Sequence, residues 1–379
     1  MAMVGIRYDL RVPPFATTTH AEMYGACLDQ CEWADKLGLD IVVLSEHHGV
    51  EDGFMSAPVT LAAAIAGRTR NIQLNIAAIL APLHDPVRLA EQLAVVSLVS
   101  RGRIGLVAGL GYRQEEFDMA GVDRKKRGSL LEEAVAVMRQ AWTGEPFEWR
   151  GRTVRVTPKP ASQPMLLIGG STEKAAKRAA KLRAGFFPAI GDPVLAEIYK
   201  AECKRLDFHG GFVSMPGGPG FVHVSHDPER DWQRIAPHAV YDATTYAAWQ
   251  TPDQRSQVHV HGATLDDVKQ SGAYVVITPD ECVKLAEDTG RVILHPLMGG
   301  LEPAIGWESL RLFEKEVLPR IKGEQRDRGG VDRSGSISRG RTDDRSRRPG
   351  ASSPRARRPR SPQAAQVPLL APSRHEAVG

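Results

Sequence analysis

Two short runs in this chain bring together side chains able to do chemistry. Glu46-His47-His48 places a carboxylate beside two imidazoles at the end of the apolar run Ile41–Ser45. A histidine at an accessible strand tip gains and loses a proton near neutral pH, so it can serve as general acid or base. Successive strand residues point to opposite faces, so only one of the two histidines can face a given site. The plainer alternative is a polar cluster that satisfies the strand end. A metal site is not expected: adjacent histidines aim apart, and no third ligand stands at a suitable spacing. The second run, Gly169-Gly170-Ser171-Thr172, lies between a β-type run and a helical one. Free N–H groups at a helix start, with a hydroxyl and with glycines that allow close approach, make an anion site. Its plainer alternative is a tight turn with a serine cap.

Something must hold those runs at one place. Strands are expected at 4–8, 41–45, 72–80, 104–108, 165–168, 186–188, 221–224 and 292–296, each followed by a helix. The first helix, 19–37, carries the apolar stripe Met23, Cys27, Cys31, Ala34, Leu37, and Gly38 ends it. Its two cysteines read as small buried side chains. Eight βα units in about 320 residues imply an α/β fold, a closed (β/α)8 TIM barrel. An open doubly wound sheet is the alternative, but the loop after the first strand, Asp9–His20, has no glycine to hold a phosphate. In such a barrel the active site lies beyond the C-terminal strand ends. That rule selects Glu46-His47-His48, Ala77-Ala78, His84-Asp85-Pro86, Gly109–Tyr112, Gly169–Thr172 and His295–Gly300. Two segments break the repeat. Phe147–Thr157 reads as a hairpin turning at Arg150-Gly151, and Gln250–Ala273 reads as a polar, mobile loop near the eighth strand.

Composition narrows the class. Apolar residues make up 42% and charged residues 25%, as in an ordinary globular protein. No run reaches the roughly 18 apolar residues of a membrane helix. MAMVGIRYDL lacks the basic start and apolar stretch of a signal peptide, and four cysteines make no disulfide scaffold. A cytoplasmic location with reduced thiols is the expectation. The net charge of +4 divides unevenly: residues 323–379 hold 13 Arg, no Lys and 6 acidic residues, or +7, which leaves −3 on 1–322. The basic excess belongs to an Arg/Ser/Pro/Gly-rich tail without Phe, Trp or Tyr, expected to be disordered. Nucleic-acid binding is therefore not the expected role of the 1–322 domain.

The chain resembles the bacterial luciferase-like family of flavin-dependent monooxygenases and oxidoreductases. The resemblance rests on LGLDIVVLSEHHG at 37–49, the run from NIAAILAPLHDPVRL to GLGYRQEEFDMAGV within 75–122, and PMLLIGGSTEKAAKRAA at 164–180. It implies a barrel that binds a flavin across its C-terminal mouth. By this resemblance His47 stands beside the flavin ring and the reacting oxygen as the proton-transfer group, and Glu46 and His48 shape the same wall. Ala77-Ala78 would form a bulge with a non-prolyl cis peptide under the ring. Gly109, Gly111 and Tyr112 would flank the flavin, and Gly169, Gly170, Ser171 and Thr172 would cradle its phosphate. Val107 and Ala108 stand where some luciferase subunits carry a cysteine and an arginine. That leaves the cradle to backbone amides and Tyr112, and argues against light emission.

The implied activity is oxidation of a small organic substrate by O2 with reduced FMN, supplied by a separate flavin reductase. An F420-dependent hydride-transfer enzyme on the same fold is the alternative, and a non-catalytic flavin-binding protein is a second. The resemblance also implies a homodimer. Substrate contacts would come from the loops Asp9–Thr19, Glu51–Met55 and Gln250–Ala273, with Phe15, Phe54 and Trp249 as a candidate apolar wall.

Overall fold

In a computed structural model, which describes residues 2–249, 260, 262 and 264–323, all eight expected strands are present. The strands are β1 (Met3–Tyr8), β2 (Ile41–Leu44), β3 (Gln73–Leu80), β4 (Ile104–Gly109), β5 (Phe147–Trp149), β6 (Arg152–Val154), β7 (Met165–Gly170), β8 (Gly185–Pro188), β9 (Phe221–Val224), β10 (Tyr274–Ile277) and β11 (Arg291–Leu294). The helices are α1 (His20–Lys36), α2 (Pro58–Arg68), α3 (Pro86–Ser100), α4 (Gln114–Ala120), α5 (Arg127–Ala141), α6 (Glu173–Lys181), α7 (Pro193–Arg205), α8 (Pro228–Trp249), α9 (Leu265–Gln270), α10 (Pro279–Thr289), α11 (Pro303–Leu312) and α12 (Leu318–Lys322).

Seven strands form one parallel sheet in the order β11-β1-β2-β3-β4-β7-β8. The order follows the chain and brings its last strand beside its first, with Val4 opposite Val292. A doubly wound sheet would reverse its order at a switch point; this one does not. It curls around a core led by residues such as Val4, Ile6, Val42, Leu44, Leu74, Ile76, Leu106 and Ile168, each at most 1% exposed. The strands are apolar on both faces because helices cover the sheet.

The closed ring of eight expected from the sequence is not what the pairing shows. β9 joins β10 in a separate parallel pair, Phe221 opposite Tyr274 through Val224 opposite Ile277. β10, absent from the expected strands, is four residues long and follows directly on the polar stretch 250–273. Past β8, Phe186 makes a single parallel bridge to Val213. The hairpin stands as expected: β5 and β6 pair antiparallel across Arg150-Gly151, both in the left-handed region.

Local chemistry places the helices. Thr19 caps α1 through a reciprocal pair with Glu22, and the stripe Met23, Cys27, Cys31, Ala34 is fully buried. Asp85 caps α3 by accepting from the Val87 and Arg88 N–H groups, and Pro86 takes the first helical position, where a missing N–H costs nothing. All four cysteines are free thiols. Among the described residues no helix is long and apolar enough to cross a membrane. Half of the loop expected at 250–273 and nearly all of the 323–379 tail lie outside the described residues, and the described part of that loop forms the helix α9 rather than a loop.

Candidate active site

The two halves of Glu46-His47-His48 separate as strand geometry requires. Glu46 and His48 share one side. The Glu46 carboxylate accepts from Leu80 N (2.5 Å), His84 Nε2 (2.7 Å) and His48 Nε2 (3.1 Å). Burial alone would raise the Glu46 pKa, but the hydrogen bonds from His48, His84 and Leu80 outweigh it and hold the carboxyl at about 2. The Glu46 hydrogen bond in turn pushes His48 upward, against its partial burial. The nitrogens of His48 and His84 and a Glu46 oxygen lie within 4.8 Å of one another, so His84, already expected near the site, supplies the third group that no spacing around Glu46 and His48 marked. Both imidazoles bond the same Glu46 oxygen, and the cluster ties the segment after β2 to the end of β3.

His47 points the other way. Its Nδ1 lies 2.7 Å from Glu116 Oε1, and its Nε2 lies 3.3 Å from the Tyr112 hydroxyl. Phe54 and Trp249 pack on its ring at 4.7 and 4.8 Å between centroids, and the side chain is only 8% exposed. Phe15, expected in the same wall, packs instead against His238 and Tyr241. Trp249 lies under Arg113, whose guanidinium is 4.5 Å from its ring, and Arg11 approaches the ring at 5.4 Å. Arg11 is itself fully buried between Asp52 (2.7 Å) and Asp242 (2.8 Å). Glu116 and Arg113 were not foreseen. The signal was available: in α4 an acid stands beside the core residue Phe117, and both are at most 1% exposed.

A cavity of about 1260 Å3 opens beside this cluster. Ala77, Ala78, Gly109, Gly111, Tyr112, Gly169, Gly170, Ser171 and Thr172 all line it. Glu46, His47 and His48 do not; Tyr112 joins His47 to it. The Ala77–Ala78 peptide is cis, and β3 slips register against β4 between Ala77 and Ile79. A Cβ on Gly109 would sit 2.9 Å from the Ala78 Cβ, so the bulge needs glycine opposite it. Gly170, at φ +152°, would bring a Cβ to 2.5 Å from Ala175. The helix cap here is Thr172, accepting from Ala175 N, and not Ser171. The cradle does not rest on amides and Tyr112 alone: Arg124, Lys125, Arg127 and Lys174 also line the cavity. Arg178 lines it too but is paired to Glu132. The Arg124 Nε is buried with no partner among the described residues. An anion suits that donor, so the residues present fit a phosphate-bearing cofactor.

Known proteins resemble this chain in sequence and in fold. The family model for luciferase-like monooxygenase matches residues 10–284. An uncharacterised protein of Mycobacterium tuberculosis is 29% identical over 169 residues, 43% of this chain; the chain spans 57% of that relative's length. The 4-hydroxyprotoasukamycin monooxygenase of Streptomyces nodosus subsp. asukaensis is 25% identical over 328 residues, covering 78% of this chain and 86% of the relative. The oxygenase component of the flavin-dependent trigonelline monooxygenase of Acinetobacter baylyi is 26% identical over 153 residues, 38% of this chain and 42% of the relative. Among solved structures, monooxygenase RslO1 of Streptomyces bottropensis superposes with a TM-score of 0.67 at 22% identity, covering 83% of this chain and 98% of that one. The oxygenating constituent of 3,6-diketocamphane monooxygenase from Pseudomonas putida, in complex with FMN, gives 0.61 at 19%, covering 85% and 99%. An F420-dependent secondary alcohol dehydrogenase with an F420–acetone adduct gives 0.61 at 17%, covering 84% and 99%. At these identities the structures speak for the fold. The family match spans most of the chain and the cavity described above, and with it the chain belongs to the luciferase-like monooxygenase family of oxidoreductases.

Proposed function

We propose that this chain is a flavin-dependent monooxygenase that uses reduced FMN and O2 on a small organic substrate. One observation carries the reading. The Ala77–Ala78 bulge, the Gly109–Tyr112 turn and the Gly169–Thr172 turn meet on a single cavity, and Tyr112 connects that cavity to His47. When bound, reduced FMN supplies the electrons that activate O2. The chain's own residues bind and orient it. Gly169, Gly170, Ser171, Thr172 and Arg124 would hold the phosphate, and Ala77, Ala78, Gly109 and Gly111 would face the ring system. His47 moves the proton, Glu46 and His48 fix the wall behind it, and Phe54 and Trp249 keep water from it.

The same reading extends to the molecule's setting. The sheet is the greater part of a (β/α)8 barrel with β9 as its eighth strand. Residues 1–322 are the catalytic domain and 323–379 a dispensable tail. A separate flavin reductase delivers the reduced cofactor in the cytoplasm, as an oxygenase component requires. Val95, Leu98 and Val99 form an exposed apolar stripe on α3, 42–48% accessible, which supports a homodimer.

A second reading has its own support. The cavity is large, and Lys125, Arg127 and Lys174 extend its positive lining beyond the glycine turn, which suits the longer anionic cofactor F420. Fluorescence titration with FMN and with F420 separates the two. Tighter FMN binding is expected. Tighter F420 binding overturns the monooxygenase reading, and binding of neither overturns both.

A further inference from the structure

We propose that Tyr112, His47 and Glu116 form a proton relay in which the Tyr112 hydroxyl, rather than the imidazole, meets the bound ligand, and in which Glu116 is the positioning residue that sets the tautomer of His47. The proposal rests on the reading of the cavity as a redox-cofactor site.

Three observations converge. First, Tyr112 lines the cavity and His47 does not, because Phe54 and Trp249 cover the imidazole. A proton leaving His47 from Nε2 therefore meets the Tyr112 oxygen, 3.3 Å away, before anything in the cavity. Second, a carboxylate has no proton to give, so the 2.7 Å contact between Glu116 Oε1 and His47 Nδ1 makes Nδ1 the donor. In the neutral imidazole the lone pair is then on Nε2, aimed at Tyr112. Third, Glu116 is built in. It is 1% exposed, and the same oxygen accepts from the His48 N–H at 3.1 Å. Arg113 stands 3.6 Å from that oxygen and donates to the His48 carbonyl at 3.0 Å. The charged groups facing His47 are thus Glu116 on α4 and Arg113 just before it. The other neighbours that could titrate are Tyr112 and Tyr246. The second Glu116 oxygen has no partner among the described residues, so the carboxylate's hydrogen bonding runs through His47 and the neighbouring backbone N–H. Tyr112 remains a hydroxyl at neutral pH because burial, with Tyr246 and Glu116 nearby, raises its pKa.

The transfer balances simply. The imidazolium of His47 gives its Nε2 proton to the Tyr112 oxygen while the Tyr112 hydroxyl proton passes to a basic atom of the ligand. One N–H and one O–H bond break, a new Tyr112 O–H and one bond from hydrogen to the ligand form, and no electrons change hands. His47 ends neutral with Nδ1–H still on Glu116.

The test has two arms. In uniformly 15N-labelled protein, long-range N–H correlation reads the His47 tautomer, its signals identified by their loss in His47→Gln. Wild type is expected to show the proton on Nδ1, and Glu116→Gln to show a mixture, with Glu116→Asp restoring the single form. In the second arm, protein loaded with photoreduced FMN is mixed with O2, and return of oxidised-flavin absorbance is followed against pH in H2O and D2O. Tyr112→Phe, which keeps the ring, is expected to slow this by roughly tenfold or more and to abolish the solvent isotope effect. Glu116→Gln is expected to slow reoxidation severalfold, with Glu116→Asp recovering most of the rate, because the proton on Nδ1 is no longer fixed. FMN affinity should stay unchanged in Glu116→Gln, whose side chain does not line the cavity. If Tyr112→Phe keeps the wild-type rate and isotope effect while His47→Gln slows, His47 meets the ligand directly and the relay is wrong. An unchanged tautomer and rate in Glu116→Gln remove its positioning role. Failure to bind either cofactor refutes the cofactor reading instead, and the tautomer arm still reports on Glu116.

Discussion

Replacing Glu46 with glutamine isolates what the buried carboxylate does. Its pKa falls from an ordinary 4.5 to about 2. That difference is about 3 kcal/mol in favour of the folded, ionised form at neutral pH. Unfolding entropy of about 2.1 cal/mol/K per residue over roughly 320 residues converts this into a melting point about 4–5 °C lower for Glu46→Gln. The pH dependence makes the test specific. Because the Glu46 value is depressed, its contribution is present above about pH 4.5 and lost as pH falls towards 2. Because His48 is raised above 6.5 by the same contact, its contribution is present at lower pH and lost as pH rises through the elevated value. The gap between wild type and variant should therefore be widest from about pH 4.5 to somewhat above 6.5, narrowing on both sides. Calorimetric melts across that range measure it. A variant within about 0.5 kcal/mol of wild type at pH 6, or a gap that does not change with pH, would show that Glu46 is not an ionised anchor for the end of β3.

Other changes probe the cavity. Gly170→Ala forces a side chain into a conformation rare for L residues, 2.5 Å from Ala175; a loss of about 1–3 kcal/mol is expected, and an unchanged melt would mean the turn relaxes freely. Arg124→Ala should weaken FMN about 10–100-fold while leaving riboflavin unaffected, as loss of a charged hydrogen bond to phosphate predicts; equal weakening of both ligands would place Arg124 elsewhere. His47→Ala should keep FMN affinity yet slow flavin reoxidation by O2 about 100-fold or more, and a wild-type rate would remove its catalytic role. A chain ending at Gly323 should react at the wild-type rate; a slower one would give the tail a function.

Much of this architecture was legible from short-range pattern. Each apolar β-type run became a strand because burial on both faces demands continuous apolar character. Thr19 and Asp85 mark helix starts by hydrogen bonds made within three residues. The strand ends bearing His47, Ala77-Ala78, Gly109 and Gly169 were legible for the same reason: strand and turn signals are local. What escaped depended on distant partners. His84 matters through Glu46, 38 positions away, and Glu116 through His47, 69 positions away. Arg124 precedes α5 and reaches the cavity only through the packing of that helix. β10 escaped because four residues carry too little periodicity to stand out from a polar neighbourhood. The seven-strand pairing, with β9 turned towards β10, is a property of long-range register that no local run encodes.

The adjacency of β1 and β11 has a consequence for synthesis. Met3 to Ile6 are made well before one of their two hydrogen-bonding neighbours, Arg291 to Leu294, which follow 288 positions later. At about 5–20 residues per second, translation leaves that edge bare for roughly 15–60 s. During that interval the nascent chain presents an apolar ribbon able to pair with a stranger. A stalled or prematurely stopped message that ends before Arg291 would release the same bare edge permanently, so such fragments should collect in insoluble material while the finished chain does not.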